Sequence, residues 1–219
     1  MDLEFWNDRW ENGQIGFHQD DHNAYLTRYW PKLALAKRST VFVPMAGKSK
    51  DIIWILAQGF KVIAVELSEI AVKAFFEENQ LEAEISQKGK LTVYSCKDLT
   101  FYCGDFFDLT PDLLASIGAM YDRAALIALP QDMRATYVEK VFELMPSLKK
   151  ILLVTMEYAQ AEMDGPPFAV MEREVTEHYH DAFKIKLLEM ENVLEANLRF
   201  KEKGLHALYE KVFYLKHVD

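Results

Sequence analysis

The chain has 219 residues, a formal net charge of -9 and half hydrophobic residues, with fourteen Phe, ten Tyr and four Trp, which fits one folded domain, 1–219, and excludes a disordered chain. The negative charge and the scattered Lys and Arg residues exclude a basic track for nucleic acid. Cys96 and Cys103 form no CxxC pair, which excludes a disulfide framework or a thiol-rich zinc site and sets the expectation of reduced thiols in the cytoplasm.

The N-terminus, MDLEFWNDRWENG, is acidic and amphipathic, without the basic start and apolar run of an export signal, and no later run reaches the roughly 18 apolar residues of a membrane span. The expected partner is a small molecule, with no membrane, no nucleic acid and a monomeric chain. Leu3 to Glu11 reads as a short helix closed by Asn12-Gly13, and Asn23 to Lys37 as a second helix that Pro31 kinks or divides. Both precede the first strand, where they can form a lid.

Thr40 to Pro44 is a short apolar strand, Lys48 to Gln58 a helix ended by Gly59, and Lys61 to Glu66 a second strand. Ser68 is placed to cap a helix running to about Asn79. Leu91 to Ser95 and Leu99 to Cys103 form a hairpin leading into the third core strand, and Thr110-Pro111 starts a short helix. Tyr121 to Leu129 and Ile151 to Glu157 read as buried strands around a helix from about Asp132 to Met145. A helix near Met171 to His180 and strands at Lys184 to Glu191 and His206 to Lys216 complete the chain. This alternation predicts an α/β fold with a doubly wound, mostly parallel sheet of seven strands, an antiparallel C-terminal edge strand and an N-terminal helical lid.

The turn after the first strand, VPMAGKS, carries a Gly-Lys-Ser. A phosphate-binding P-loop needs another glycine five positions before Gly47, where Phe42 stands inside the strand. A dinucleotide fingerprint needs three glycines, and the turn has one. What survives is a ligand needing one close backbone approach, at Gly47, and an acid after the second strand, Glu66, which can accept from both hydroxyls of a ribose. S-adenosylmethionine is the nucleoside that fits without a pyrophosphate site. The plain alternative is an α/β fold in which Gly47 turns the chain and Glu66 faces water or a helix start.

Other residues carry two readings as well. Trp6 and Trp10 share one helical face, either packing on the sheet or covering a ligand. Arg123 lies in the apolar run YDRAALIAL and needs a carboxylate or a ligand, with Asp122 and Asp105 as candidate ion-pair partners. His178 and His180 do not share a helical face and make a poor metal pair, so no metal is expected.

Taken in order, FWNDRW, GFHQ, VFVPMAGKS, VIAVELSE, YCGDFFDL, YDRAALIAL, DGPPF and GLHALYEKVFYL resemble the thiopurine S-methyltransferase family of class I, Rossmann-like methyltransferases. The resemblance spans nearly the whole chain. It implies S-adenosylmethionine as cofactor, S-adenosylhomocysteine as product, and methyl transfer to an aromatic or heterocyclic thiol, with selenium or tellurium compounds as further soft acceptors. It further implies that Trp10, Met45, Gly47, Glu66, Asp105, Phe106 and Arg123 bind the cofactor. Phe17, Pro166, Pro167 and Phe168 would contact the acceptor, and Arg123 and Arg199 would serve the chemistry. The turn departs from the family in reading Pro-Met-Ala-Gly where many relatives have Pro-Leu-Cys-Gly; the Met for Leu change nearly conserves volume and the other removes only a weak polar group, so cofactor binding is expected to survive both. The weighed alternatives are a binding module that holds the cofactor without transfer, and a nicotinamide-dependent reductase.

Overall fold

The computed structural model describes residues 3–218. Helix α1 (Leu3–Glu11) ends at Asn12 and Gly13, the latter at a φ of 65°, where a glycine closes a helix without steric cost. In α2 (Ala24–Tyr29) the Asn23 side chain caps the N-terminus by accepting from the Tyr25 N–H at 2.9 Å. Pro31 divides the second predicted helix. From Trp30 to Leu33 the chain tightens into a 3-10 turn, because proline has no N–H for the α ladder.

Strand β1 (Thr40–Val43), helix α3 (Lys50–Ala57), strand β2 (Lys61–Glu66) and helix α4 (Glu69–Glu78) lie where their patterns predict. Ser68 holds the N-cap position of α4, but its side chain makes no capping bond and its hydroxyl is buried without a partner among the described residues. The Glu66 carboxylate takes the cap's place, accepting from the Ser68 N–H at 2.9 Å.

Strands β3 (Glu84–Lys88), β4 (Leu91–Cys96) and β5 (Leu99–Cys103) form an antiparallel meander. After the short α5 (Pro111–Leu114) comes β6 (Ala119–Asp122), which stops well before Leu129, the predicted end of that strand. The cause is Asp122, a buried carboxylate that accepts from the N–H groups of Ala125 and Leu126 at 3.1 and 3.4 Å and from the Tyr137 hydroxyl at 2.7 Å. It thereby satisfies the free N–H groups of a helix start, and Ala125–Ala128 becomes the one-turn helix α6. Helix α7 (Gln131–Leu144), strand β7 (Lys150–Glu157), helix α8 (Glu172–Tyr179), strand β8 (Phe183–Asn192), helix α9 (Leu198–Glu202) and strand β9 (Tyr209–His217) follow.

The strands make one nine-stranded sheet in the order β3-β4-β5-β2-β1-β6-β7-β9-β8. Strands β5, β2, β1, β6 and β7 run parallel at its centre, as the alternation predicts. The expected seven strands become nine, because the hairpin strand β4 joins the sheet and β3 is added beyond it. Strand β3 escapes a hydrophobic reading because all five residues of EISQK are exposed and it is held through its pairing with β4. The last strand, β9, is antiparallel as expected, but it lies between β7 and β8 and not at the edge.

Both faces of the sheet are covered. Phe42, Met120, Leu153 and Phe213 pack with Tyr137 and Val141 of α7 and Tyr179 of α8, while Val41, Ala64 and Leu152 pack with Leu26, Ile52 and Phe75. One buried ion pair ties the first layer to a loop near the carboxyl end of the sheet. Arg134 donates through Nη1 to both Glu174 oxygens at 2.8 Å and to the Ala169 carbonyl at 3.0 Å, and through Nε to the Leu129 carbonyl at 3.0 Å. Breaking such a pair leaves an uncompensated buried charge. Glu174→Ala is expected to lower stability by about 3–5 kcal/mol, read from urea denaturation, and the double replacement Arg134→Met, Glu174→Leu to cost less than the single one.

Candidate active site

The sheet order reverses beside β1, with β2 on one side and β6 on the other, and open α/β sheets take ligands in the crevice at the carboxyl ends of strands at such a point. A cavity of about 300 Å³ lies there. Its floor is Met45, Ala46 and Gly47 after β1, Glu66 and Leu67 at the end of β2, Arg123 and Ala124 after β6, and Val154, Thr155 and Met156 of β7. Thr155 brings a buried hydroxyl with no partner among the described residues.

The turn after β1 is held in an unusual backbone state. Met45 and Gly47 have φ values of 45° and 55°, the left-handed region that a side chain resists. A Cβ on Gly47 would stand 3.2 Å from the Trp10 ring, so the glycine serves both the turn and the contact. Glu66 closes the turn: one oxygen accepts from the Gly47 N–H at 2.8 Å and the other from the Ser68 N–H at 2.9 Å. Burial pushes its carboxyl up from the ordinary value, while the N–H groups of Ser68, Gly47 and Leu67 oppose that shift. Each carboxylate oxygen can accept more than one hydrogen bond, so acceptor capacity remains toward the cavity that Glu66 lines.

Across the floor, Arg123 is held by Asp51, and not by Asp122 or Asp105. Its Nε donates to Asp51 Oδ2 at 2.9 Å and its Nη2 to the Ser49 hydroxyl at 3.4 Å. Asp51, 2% exposed, also accepts from the Tyr121 hydroxyl at 3.1 Å and from the Asn23 N–H at 2.7 Å. Burial works against the charge on Arg123, but Asp51, Tyr121 and Glu210 together outweigh burial and raise the guanidinium above its ordinary value. Arg123 is therefore a fixed cation at the cavity wall.

The N-terminal segment forms the roof. Trp6 and Trp10 sit edge-on to Phe17 at 5.7 and 5.5 Å between ring centres, and all three line the cavity. Trp10 is buried and Phe17 is 37% exposed, and the tryptophan face is turned to the cavity. His18, also in the roof, is pulled down from its ordinary value by burial and by nearby Lys48. Arg199 reaches the roof from α9, its Nη1 so near Gly16 that a Cβ there would lie 2.7 Å away. Burial lowers its guanidinium from the ordinary value.

Pro166 and Pro167 line the cavity, and Phe168 does not. The Phe168 ring folds back over Gly165, its N–H donates to the Ile127 carbonyl at 2.7 Å, and its side chain borders a separate depression with Arg134 and Tyr158. Asp105 and Phe106 also lie outside the cavity lining. Asp105 caps a 3-10 turn by accepting from the Phe107 N–H at 2.9 Å. Phe106 is 1% exposed and packs its ring 5.0 Å from Tyr137, so it is a core residue whose face is not presented to a ligand.

Three residues of the site were not foreseen. Asp51 reads in sequence as an ordinary acid in a helix's first turn. Arg9, which lies over the Phe5 ring at 4.4 Å and whose buried Nε has no hydrogen-bond partner among the described residues, reads as a solvated charge of an amphipathic helix. Glu210 lines the cavity from β9, and its one signal is a charge inside the apolar run ALYEKVFYL.

Residues 1–218 match the family model described as thiopurine S-methyltransferase. The chain is 45% identical over 215 residues to a thiopurine S-methyltransferase of Pseudomonas fluorescens, covering 98% of this chain and 97% of that one. It is 44% identical over 217 residues to that of Methylococcus capsulatus, covering 99% and 98%. Among solved structures, a 1,6-didemethyltoxoflavin-N1-methyltransferase of Burkholderia thailandensis with bound S-adenosylhomocysteine superposes with a TM-score of 0.65 at 16% identity, over 99% of this chain and 87% of that one. A SAM-dependent methyltransferase from Anabaena variabilis superposes with a TM-score of 0.64 at 13% identity, over 99% and 95%. At these identities the structural matches speak for the fold.

The dependence of the site on Asp51 is open to test. Asp51→Ala strands the Arg123 charge, the Tyr121 hydroxyl and the Asn23 N–H together, and is expected to cost about 3–5 kcal/mol, measured by chemical denaturation. A loss below about 1 kcal/mol, the scale of one ordinary hydrogen bond, would show that Asp51 does not hold the site together.

Proposed function

The chain belongs to the thiopurine S-methyltransferase family, and from that premise we propose how its cavity divides the work of methyl transfer. The enzyme is an S-adenosylmethionine-dependent thiol S-methyltransferase. The observation that carries the assignment of roles is that Glu66 and Arg123, from opposite sides of β1, face one cavity beneath Trp10 and Phe17.

The residues present fit S-adenosylmethionine. Glu66 keeps acceptor capacity for the two hydroxyls of a ribose, Gly47 leaves the space that a Cβ would fill, and Arg9 brings an unpartnered buried Nε suited to a carboxylate. We assign cofactor binding to Trp10, Met45, Gly47, Glu66 and Arg123, with Arg9 added. Asp105 is left to contribute from the adjoining loop, and Phe106 to support that loop from the core. When bound, the cofactor supplies a methyl group on a positively charged sulfur.

The remaining work falls to the chain. The more acidic aromatic and heterocyclic thiols are substantially ionised near neutral pH, and such an acceptor needs no strong base. Arg123 and Arg199 favour its anion. Opposite charges vanish as a thiolate meets a sulfonium, so a dry aromatic roof disfavours the separated reactants more than the transition state. Trp10 and Phe17 exclude water there. Phe17, Pro166 and Pro167 hold the acceptor in line, while Phe168 acts from behind, by bracing the loop that carries the two prolines.

The acceptor is a small molecule, and among the described residues no helix is long and apolar enough to cross a membrane. The reading includes a single domain, 1–219, working as a cytoplasmic monomer without nucleic acid, and an acceptor site that tolerates other soft atoms such as selenium or tellurium.

Incubation with methyl-labelled S-adenosylmethionine and an aromatic thiol is expected to give labelled thioether, read by mass. Cofactor binding with no transfer across a broad thiol panel would remove the transferase reading. For the ribose role, Glu66→Ala is expected to weaken S-adenosylhomocysteine binding by about 1–3 kcal/mol, the scale of hydrogen bonds to a charged group. Isothermal titration reads it, and wild-type affinity in the folded variant would take the role from Glu66.

A further inference from the structure

Glu210 sits where a thiolate acceptor alone would make no use of it. It stands opposite Met156 in the β7 to β9 register, and residues directly opposite in an antiparallel pair project from the same face, so the two line one wall of the cavity. The place follows from the topology. Because β9 is antiparallel to β7, its first residues lie beside the last residues of β7, at the carboxyl end where the cavity opens.

Glu210 meets the Tyr25 hydroxyl and Arg123 as well as the cavity it lines. Among the described residues the ion pair of Arg123 is with Asp51, and Glu210 adds a smaller share of the field that holds that guanidinium charged. The Tyr25 hydroxyl of α2 donates to Glu191 at 2.7 Å, and Glu191 is the residue paired with Glu210 across β8 and β9. The groups facing Glu210 are thus Arg123 from the end of β6, Tyr25 from α2 and Glu191 from β8. Burial pushes the Glu210 carboxyl up from its ordinary value. The Tyr25 hydroxyl and Arg123 oppose that shift, and Glu191 adds to it.

A carboxylate on the wall of an acceptor pocket repels a thiolate. It suits an acceptor that arrives with a proton to give. Many heteroaromatic thiols are such molecules, because their neutral form is a thione, with hydrogen on the ring nitrogen and a C=S bond. We propose that Glu210 is a catalytic residue of this enzyme, accepting the ring N–H hydrogen bond of a neutral heteroaromatic thione and taking that proton as the sulfur is methylated.

The balance is complete. The thione sulfur supplies the electron pair of the new S–CH₃ bond, and the pair of the broken bond stays on the donor sulfur, which becomes a neutral thioether. The N–H proton passes to the Glu210 carboxylate, the N–H pair becomes the ring C=N bond, and C=S becomes a single C–S bond. A carboxyl above the ordinary range is a better match to such a proton than a free carboxylate, which is the condition for effective general-base action. Arg123 and Arg199 then serve the sulfur and Glu210 the nitrogen. The assignment rests on the thiol S-methyltransferase reading.

The test pairs pyridine-2-thione, which keeps its ring N–H near pH 7, with thionitrobenzoate, which is already ionised there. Glu210→Gln is expected to lower kcat/KM for pyridine-2-thione by about 100-fold, the lower end of general-base effects, and at least about tenfold more than for thionitrobenzoate. The acid limb that Glu210 gives the wild-type profile on the thione should be absent from the variant. A readout without turnover uses protein saturated with S-adenosylhomocysteine. Wild type should bind pyridine-2-thione in preference to its N-methyl derivative, and Glu210→Leu should lose that preference while still binding S-adenosylhomocysteine. Equal kinetic losses on the two acceptors, or a preference that survives in Glu210→Leu, would overturn the assignment alone. Methylation of neither acceptor by wild type that binds S-adenosylhomocysteine would instead overturn the transferase reading, and this assignment with it.

Discussion

The site depends on the Asp51 carboxylate more than on any other single group. It sits in the first turn of α3, 2% exposed, and gathers three donors from separate parts of the chain: the Arg123 guanidinium, the Tyr121 hydroxyl and the Asn23 backbone N–H. A buried carboxylate is tolerable only when its charge is met and its lone pairs are used. Asp51 satisfies both conditions, and in doing so ties the β1 side of the sheet to β6 and to the N-terminal segment. Asn23 is in turn the cap of α2, so the segment that leads into the roof and the cation in the floor share one anchor.

The other half of the cavity is organised by backbone. Glu66 occupies the Gly47 and Ser68 N–H groups, which a glycine-rich loop of a dinucleotide fold would leave free for a pyrophosphate. The left-handed residues Met45 and Gly47 turn the chain, and the carboxylate holds the turn closed. The ligand that remains compatible is one that meets a carboxylate and a single close backbone approach, which favours a nucleoside over a pyrophosphate.

Much of this was legible in the sequence because it rests on periodicity. The parallel strands are short apolar runs, and α1, α3, α4 and α7 have clear start or stop residues, so β1, β2, β5 and β7 and their helices fall close to prediction. The failures are places where a tertiary partner overrides local pattern. β3 has no apolar face and is held by its pairing with β4. The run after Asp122 is apolar enough for a strand, but the Asp122 carboxylate accepts its N–H groups and turns it into a helix. Phe106 and Phe168 show the matching limit for sites. An aromatic beside a functional loop looks the same in sequence whether its ring faces a ligand or the core, and only packing separates them. Asp51 was hidden for a related reason, since an acid in a first helical turn is ordinary and nothing local says that it is buried.

Charge at the cavity then takes an order that the net value of -9 conceals. Two carboxyl groups, Glu66 and Glu210, and three guanidinium groups, Arg9, Arg123 and Arg199, share its lining. Burial raises both carboxyls, but their surroundings differ: backbone N–H groups hold Glu66, whereas Glu210 faces a hydroxyl, a cation and a second carboxylate, all on side chains. Fixed backbone donors favour the ionised form and tie it to one geometry, which suits an acceptor of hydroxyl hydrogen bonds. At Glu210 burial first and Glu191 second ease the uptake of a proton, against the Tyr25 hydroxyl and Arg123. Pairs of titratable groups whose environments set them apart are where acid and base roles are found. The same residue type therefore supplies, at one end of the cavity, a carboxyl held in one geometry by backbone donors for a ligand that must stay bound, and at the other a carboxyl among side chains, free to answer an acceptor as it reacts.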